Sequence, residues 1–93
     1  MSIDNLALEV QNQADRLFPK RTPSSMFMKL FSEIGELVED QNEEEYADVM
    51  IMLLDYGSKR MFDIEGSIRR KMIINEKRQW IQNELGVMKH VKE

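Results

Sequence analysis

The chain has 93 residues, a formal net charge of −4 and a sequence pI near 5.0. This length fits one domain, so we treat residues 1–93 as a single unit with a core at about residues 4–80 and a tail at residues 81–93. The acidic balance argues against a nucleic-acid partner, which requires a basic surface. The absence of cysteine excludes a disulfide framework and a thiolate metal site.

The composition also argues against export and membrane insertion. The amino terminus lacks a basic segment followed by an apolar one, so we expect no signal peptide. The longest apolar run, residues 49–54, is too short to cross a bilayer. We therefore expect a cytoplasmic protein without a membrane partner. A domain this small buries only a little over about 60% of its unfolded surface, and 42% of its residues are apolar, so we expect it to associate with itself.

Apolar residues at steps of three and four predict two helices in the first half of the chain. The first is expected at about residues 4–18, before the break at Pro19. Thr22 is predicted to cap the second helix, with Pro23 at its first position. This helix carries a broad apolar stripe and is expected to end near Gln41.

Two further helices are predicted in the second half of the chain. Asn42, followed three residues later by Glu45, is typical of a helix cap, and the third helix is expected to end at about Arg60. Asp63 is predicted to cap the fourth helix, at about residues 64–80, and three apolar residues of this helix are expected to face inward: Ile68, Met72 and Ile73. Short connections favour antiparallel neighbours, so we predict an all-α four-helix bundle.

Two acidic pairs, Glu33-x-x-Glu36 and Glu45-x-x-Asp48, lie on consecutive predicted helices. Residues three apart on a helix project side by side. Either pair alone is more typical of a solvated surface or of a helix amino terminus. Both pairs, however, border apolar faces, where an unpaired carboxylate is costly. We therefore predict that the four carboxylates converge on Mg²⁺ or Mn²⁺, which prefer oxygen ligands.

Lys71, Asn75 and Arg78 recur at helical steps on the fourth predicted helix. Considered alone, they are more typical of a solvated basic face that balances the acidic helices. Beside an acidic metal cluster, cationic and amide donors of this kind are suited to hold phosphate. We therefore expect them to bind the phosphates of a nucleotide.

Three segments together resemble a known family. Residues 29–37 (KLFSEIGEL) and 44–49 (EEYADV) resemble the motifs of the MazG-like, all-α nucleoside triphosphate pyrophosphohydrolases, and residues 71–78 (KMIINEKR) resemble that family's basic motif. The resemblance covers about residues 22–78, and the tail is similar to those of short, phage-type members. Only eight residues separate Glu36 from Glu45, fewer than in many members. This shorter turn is expected to draw the pairs closer or to tilt the helices.

The resemblance implies a homodimer or a dimer of dimers that cleaves a nucleoside triphosphate between its α- and β-phosphates. The products are a monophosphate and pyrophosphate, formed in the cytoplasm (the host cytoplasm if a phage encodes the protein). Two or more Mg²⁺ ions per site are implied, with Mn²⁺ as a substitute. By position, the metal ligands are Glu33, Glu36, Glu45 and Asp48, and the phosphate or sugar ligands are Lys71, Asn75 and Arg78. Glu33 and Glu36 are also expected to be catalytic, with Glu33 accepting the proton of the attacking water.

Likeness to short phage-type members favours a purine deoxynucleoside triphosphate, dGTP in particular. Candidates for contacting the base are Gln13, through hydrogen bonds, and Phe27 or Trp80, through stacking. Two alternatives remain. One is a phosphoribosyl-ATP pyrophosphohydrolase, a similar small helical module. The other is a non-catalytic helical dimerisation module, which would bind no Mg²⁺.

Overall fold

The computed structural model describes residues 2–78, 80–82 and 84–90. Its elements are four α-helices, α1 (Ile3–Leu17), α2 (Pro23–Asp40), α3 (Glu43–Lys59) and α4 (Ile64–Lys77), and two short strands, β1 (Trp80–Gln82) and β2 (Met88–His90). The strands pair antiparallel. The four predicted helices are confirmed, and the tail adds a small hairpin that the sequence did not predict. None of the four described helices combines the length and the apolar composition that a membrane crossing requires.

Side-chain caps begin the helices at the predicted residues. The hydroxyl of Thr22 accepts a hydrogen bond from the Ser25 N–H at 3.1 Å, and the Thr22 N–H donates back to the Ser25 hydroxyl. Asn42 and Asp63 cap α3 and α4 in the same way, through backbone N–H groups three residues later. Each cap satisfies a donor that has no partner within its helix.

The fourth helix ends at Lys77, three residues before the predicted end at Trp80. Arg78 has an extended backbone, with φ −86° and ψ 152°. The indole N–H of Trp80 donates to the carbonyl of Asn75 at 2.9 Å. The same carbonyl accepts a hydrogen bond from the N–H of Arg78 at 3.2 Å. Trp80 therefore contacts the carboxyl end of α4 but lies outside the helix.

Helix α3 is the centre of the fold, because α1 and α2 both pack against it. Among the described residues, α2 does not pack against α1 or α4, and α4 makes only limited contact with α1 and α3. The buried apolar side chains are correspondingly few: Ala7, Met26, Val49 and Leu54.

The inward-facing stripe predicted for α4 is wrong for a single chain. No residue of α4 is buried, and Ile68, Met72 and Ile73 are 48%, 62% and 58% exposed. The physical reason is that α2 makes no contact with α4, so no described element covers this face of α4. The bundle is therefore open along its fourth helix.

The amino end of α4 is attached to α1 by a carboxylate. Asp4 accepts hydrogen bonds from the backbone N–H groups of Ile64, at 2.9 Å, and Glu65, at 3.0 Å. These N–H groups lie in the first turn of α4, where an anion also interacts favourably with the helix dipole. This contact joins residues 60 positions apart and fixes where α4 starts.

A buried ion pair attaches the α1–α2 connection to α3. The guanidinium of Arg21 donates to both oxygens of Asp55, at 2.8 and 2.9 Å, and the two side chains are 8% and 5% exposed. The same guanidinium donates to the carbonyl of Phe18 and to the half-exposed carboxylate of Asp15. A bidentate pair of this kind fixes orientation as well as distance.

We expect Asp55→Ala to lower the free energy of unfolding by about 3–5 kcal/mol, because it leaves a buried guanidinium without its counter-ion. Asp15→Ala removes the exposed partner of the same Arg21 and is expected to cost no more than about 1 kcal/mol. Urea unfolding followed by circular dichroism measures both values. Equal losses in the two variants would contradict the assignment of Asp55 as the structural partner.

Candidate metal centre

A two-residue turn brings the two acidic helices side by side. Helix α2 ends at Asp40 and α3 begins at Glu43. Gln41 adopts the left-handed conformation, with φ 49° and ψ 43°, and its N–H donates to the carbonyl of Leu37 at 2.8 Å. Asn42 then caps α3. The chain therefore reverses sharply, and the acidic pairs come to lie opposite each other.

Carboxylates from both helices meet between α2 and α3. One oxygen from each of Glu33, Glu45 and Asp48 lies within 4.8 Å of the other two. The carboxyl group of Glu36 lies close enough to those of Glu33 and Glu45 for their charges to raise its pKa. The structure thus brings three of the four predicted acidic residues together at one point and places Glu36 beside them.

Two of these carboxylates have a buried oxygen without a partner. Glu33 is only 7% exposed, and the Oε2 atoms of Glu33 and Glu45 are buried without a hydrogen bond. A buried anionic oxygen without a partner is unfavourable unless a cation neutralises it. An all-oxygen ligand set matches hard divalent cations such as Mg²⁺ and Mn²⁺. The residues present therefore fit the implied metal.

The pKa values of the cluster are shifted in opposite directions. Lys29 donates to Glu33, with 2.9 Å between Nζ and Oε1, and this bond lowers the pKa of Glu33. Close approach to the Glu33 carboxylate raises the pKa of Glu36. Burial, followed by the charge of Asp48, raises the pKa of Glu45. Carboxylates whose pKa values are shifted by burial and by neighbouring like charges often occur at functional sites.

The predicted phosphate ligands lie on α4, apart from the cluster. Lys71 is exposed, Asn75 and Arg78 are half-buried, and α4 does not pack against α2. Within the described residues, no ion pair joins Lys71 or Arg78 to the cluster. The Oδ1 atom of Asn75 is buried without a hydrogen-bond partner. A single chain therefore leaves Asn75 with unused capacity to accept a hydrogen bond.

A largely apolar cavity of about 470 Å³ lies between α1, α2 and α3. Gln13, one of the three candidates for contacting the base, lines it, together with Val10, Ala14, Met26, Ile51 and Met52. Phe27 instead packs on Tyr56, with ring centroids 4.8 Å apart. Trp80 donates to the end of α4. The structure thus places Gln13 alone of the three at this cavity.

Three residues without a predicted role also shape this region. Arg21 and Asp55 form an ion pair beside the cavity, and their separation of 34 positions gives no local pattern. Lys29 lines the cavity and pairs with the cluster. It lies four residues before Glu33, so helical spacing could have identified this contact.

The chain is similar to two phage enzymes, although no model of a known protein family matches it. A dATP/dGTP diphosphohydrolase of Cyanophage S-2L is 33% identical over 93 residues, which cover 97% of this chain and 89% of the relative. A dATP/dGTP diphosphohydrolase of Salmonella phage PMBT28 is 39% identical over 84 residues. These cover 88% of this chain and 29% of that longer relative.

The fold is also similar to that of a solved structure. It is the Cyanophage S-2L MazG-like pyrophosphohydrolase bound to dGDP and three catalytic Mn²⁺ ions per active site. The match has a TM-score of 0.88 and 35% identity, and it covers 98% of this chain and 93% of the other. By sequence and by fold, the chain belongs to the MazG-like nucleotide pyrophosphohydrolases, alongside members encoded by phages.

Proposed function

We propose that the chain hydrolyses a purine deoxynucleoside triphosphate, dGTP or dATP, to the monophosphate and pyrophosphate. The observation that carries this proposal is the cluster of Glu33, Glu36, Glu45 and Asp48, with its buried and unpaired oxygens. The dGDP and Mn²⁺ bound by the structural relative, and the names of the two phage relatives, support the substrate class.

The four clustered carboxylates would hold the divalent cations. Glu33 is the most buried of the four. Glu45 contributes a second buried oxygen, and Asp48 approaches from the exposed side. Bound Mg²⁺ or Mn²⁺ supplies charge neutralisation at the phosphates and activation of the attacking water. The chain itself supplies a proton acceptor in the first pair, for which we propose Glu33, with the carboxyl group of Glu36 close to it.

For the phosphates and the sugar, we propose Lys71, Asn75 and Arg78. Lys71 and Asn75 lie four residues apart on one face of α4, and Arg78 follows directly after the end of the helix. Two of them are cationic, as a departing pyrophosphate requires. The buried and unpaired Oδ1 of Asn75 supports a role for this residue as a hydrogen-bond acceptor for a ligand hydroxyl.

We propose that the purine enters the cavity between α1, α2 and α3. Its volume of about 470 Å³ falls within the range of about 300–1,000 Å³ that is typical of small-molecule sites. Its walls are largely apolar, which suits the faces of a base, and Gln13 offers an amide for a base edge. Lys29 lines the cavity and also reaches the cluster, so the cavity opens beside the metal ligands.

Self-association is also part of the proposal. The radius of gyration is 15.7 Å, whereas a compact chain of this length has about 12 Å. Large apolar side chains are exposed on α2 as well as on α4, including Met28 at 74%, Phe31 at 72% and Val38 at 66%. Exposed apolar surface of this extent is typical of a face covered by another chain. A second copy of this chain is the partner that the small core favours.

We expect Mn²⁺ to raise the thermal midpoint of the wild-type protein, since a cation at 100 times its dissociation constant adds about 2.7 kcal/mol. Glu45→Gln keeps the shape of the side chain but removes a charged ligand, so most of this gain should be lost. Glu44→Gln, at an exposed neighbouring position, serves as the control. Differential scanning fluorimetry with and without Mn²⁺ measures the effect. Equal gains in both variants would count against the metal site, and a non-catalytic module predicts no gain even in the wild-type protein.

We expect wild-type protein with Mg²⁺ to release pyrophosphate and monophosphate from dGTP and dATP. Glu36→Ala should lower turnover by about 100-fold, while Glu39→Ala, at an exposed position on the same helix, should retain it. Chromatography of the products, with phosphoribosyl-ATP and pyrimidine nucleotides in the same panel, measures bond and base selectivity. Release of orthophosphate would contradict cleavage between the α- and β-phosphates.

We expect light scattering to give a mass of at least twice the 11.0 kDa of one chain. Phe31→Lys places a charge on the exposed apolar face of α2 and should shift the protein toward the monomer, because burying that charge is costly. Ser32→Lys adds the same charge at the neighbouring exposed position and is the control. A monomeric wild type would overturn this part of the proposal.

A further inference from the structure

Lys29 stands out because it is the cation at the boundary between the cluster and the cavity. Its Nζ lies 2.9 Å from Oε1 of Glu33, the most buried carboxylate of the cluster. Its side chain also lines the cavity that we assign to the purine. Within the described residues, no other cationic side chain forms an ion pair with the cluster.

Helix stabilisation does not explain this ion pair. A lysine four residues before a glutamate has the less favourable order along a helix, and exposed pairs contribute only about 0.3–0.5 kcal/mol. The two side chains also differ in exposure, since that of Lys29 is 62% exposed and that of Glu33 is 9% exposed. The pair is better explained by the cost of burying the negative charge of Glu33, whose other oxygen is buried without a partner. The ammonium group neutralises a carboxylate that the fold cannot leave isolated.

A divalent cation at the same carboxylates competes with Lys29. Both are positive, and both are attracted to the charge of Glu33. Lys29 also interacts with the charges of Glu36 and Asp48, so it is close to three of the four proposed ligands. Its flexible stem and exposed head allow it to leave without disturbing α2. When a cation binds Glu33, the ammonium group of Lys29 therefore loses its ion-pair partner and becomes available at the edge of the cavity.

We propose that Lys29 neutralises Glu33 when no metal is bound. When a metal binds, the Lys29 side chain moves, and its ammonium group pairs instead with the substrate phosphate next to the nucleoside. This proposal rests on the proposed function for the position of the phosphates. A nucleotide whose base fills the cavity, and whose phosphate chain reaches the cluster, must cross the boundary where Lys29 lies. The phosphate there is the α-phosphate, the group attacked in the reaction. Lys29 thus couples metal binding to nucleotide binding.

Lys29→Met tests both roles, because they predict changes of opposite sign. Calorimetric titration of the nucleotide-free protein should show Mn²⁺ binding about three- to tenfold more tightly, since a competing positive charge is gone. Titration with dGDP at saturating Mn²⁺ should show nucleotide binding about tenfold more weakly, since a charge-assisted hydrogen bond is lost. Lys29→Arg keeps the charge and should change both affinities less.

Lys59→Met, at an exposed position in the last turn of α3, is the matched control and should leave both affinities unchanged. Circular dichroism verifies that each variant is folded. The proposal is overturned if Lys29→Met does not bind Mn²⁺ more tightly and dGDP more weakly than the wild type, even if wild-type protein releases pyrophosphate from dNTPs.

The proposed function would instead be contradicted by wild-type protein that binds Mn²⁺ but cleaves no dNTP. In that case the Mn²⁺ titration would still decide whether Lys29 competes with the metal.

Discussion

The packing of α2 against α3 depends on how buried carboxylate charge is neutralised between them. Glu33 and Glu45 each carry an oxygen that reaches neither solvent nor a hydrogen-bond donor. In a stable protein without a ligand, apolar residues would serve better at such positions. Lys29 compensates one oxygen of Glu33, and the remaining charge is left for divalent cations. The feature that weakens the metal-free fold is therefore the same feature that we propose binds metal and, through it, a polyphosphate.

Polar contacts replace much of the apolar core in this small fold. Only four apolar side chains are buried among the described residues, which is few for a chain of this length. The Arg21–Asp55 pair and the cap of α4 by Asp4 join parts of the chain that are 34 and 60 positions apart. The first of these also forms part of the cavity wall, so a structural ion pair shapes the proposed nucleoside site. Assembly with other copies would supply the apolar burial that one chain lacks.

Local features of the structure could be predicted from the sequence, whereas contacts between distant residues could not. The caps at Thr22, Asn42 and Asp63 follow from side-chain chemistry within three residues, and the structure has each of them. The acidic pairs converge because helical spacing and one short turn determine where they project. The pairing of Arg21 with Asp55 has no such local origin. The exposed face of α4 has the apolar periodicity of a core-facing stripe. Such a pattern does not show whether the same chain or another one covers that face.

The short connection between α2 and α3 determines the register of the candidate metal centre. Glu33 lies about two helical turns before it and Asp48 about one and a half turns after it, so a reversal at Gln41 and Asn42 brings them to nearly the same level. Gln41 adopts its left-handed conformation at a cost that glycine would avoid, and its N–H hydrogen bond to Leu37 closes the end of α2. A longer loop would allow α3 to slide along α2, and a slide of one residue would turn a carboxylate out of the cluster. The tight turn therefore positions the two pairs: it places carboxylates of α2 and α3 opposite each other, where a cation could bridge them.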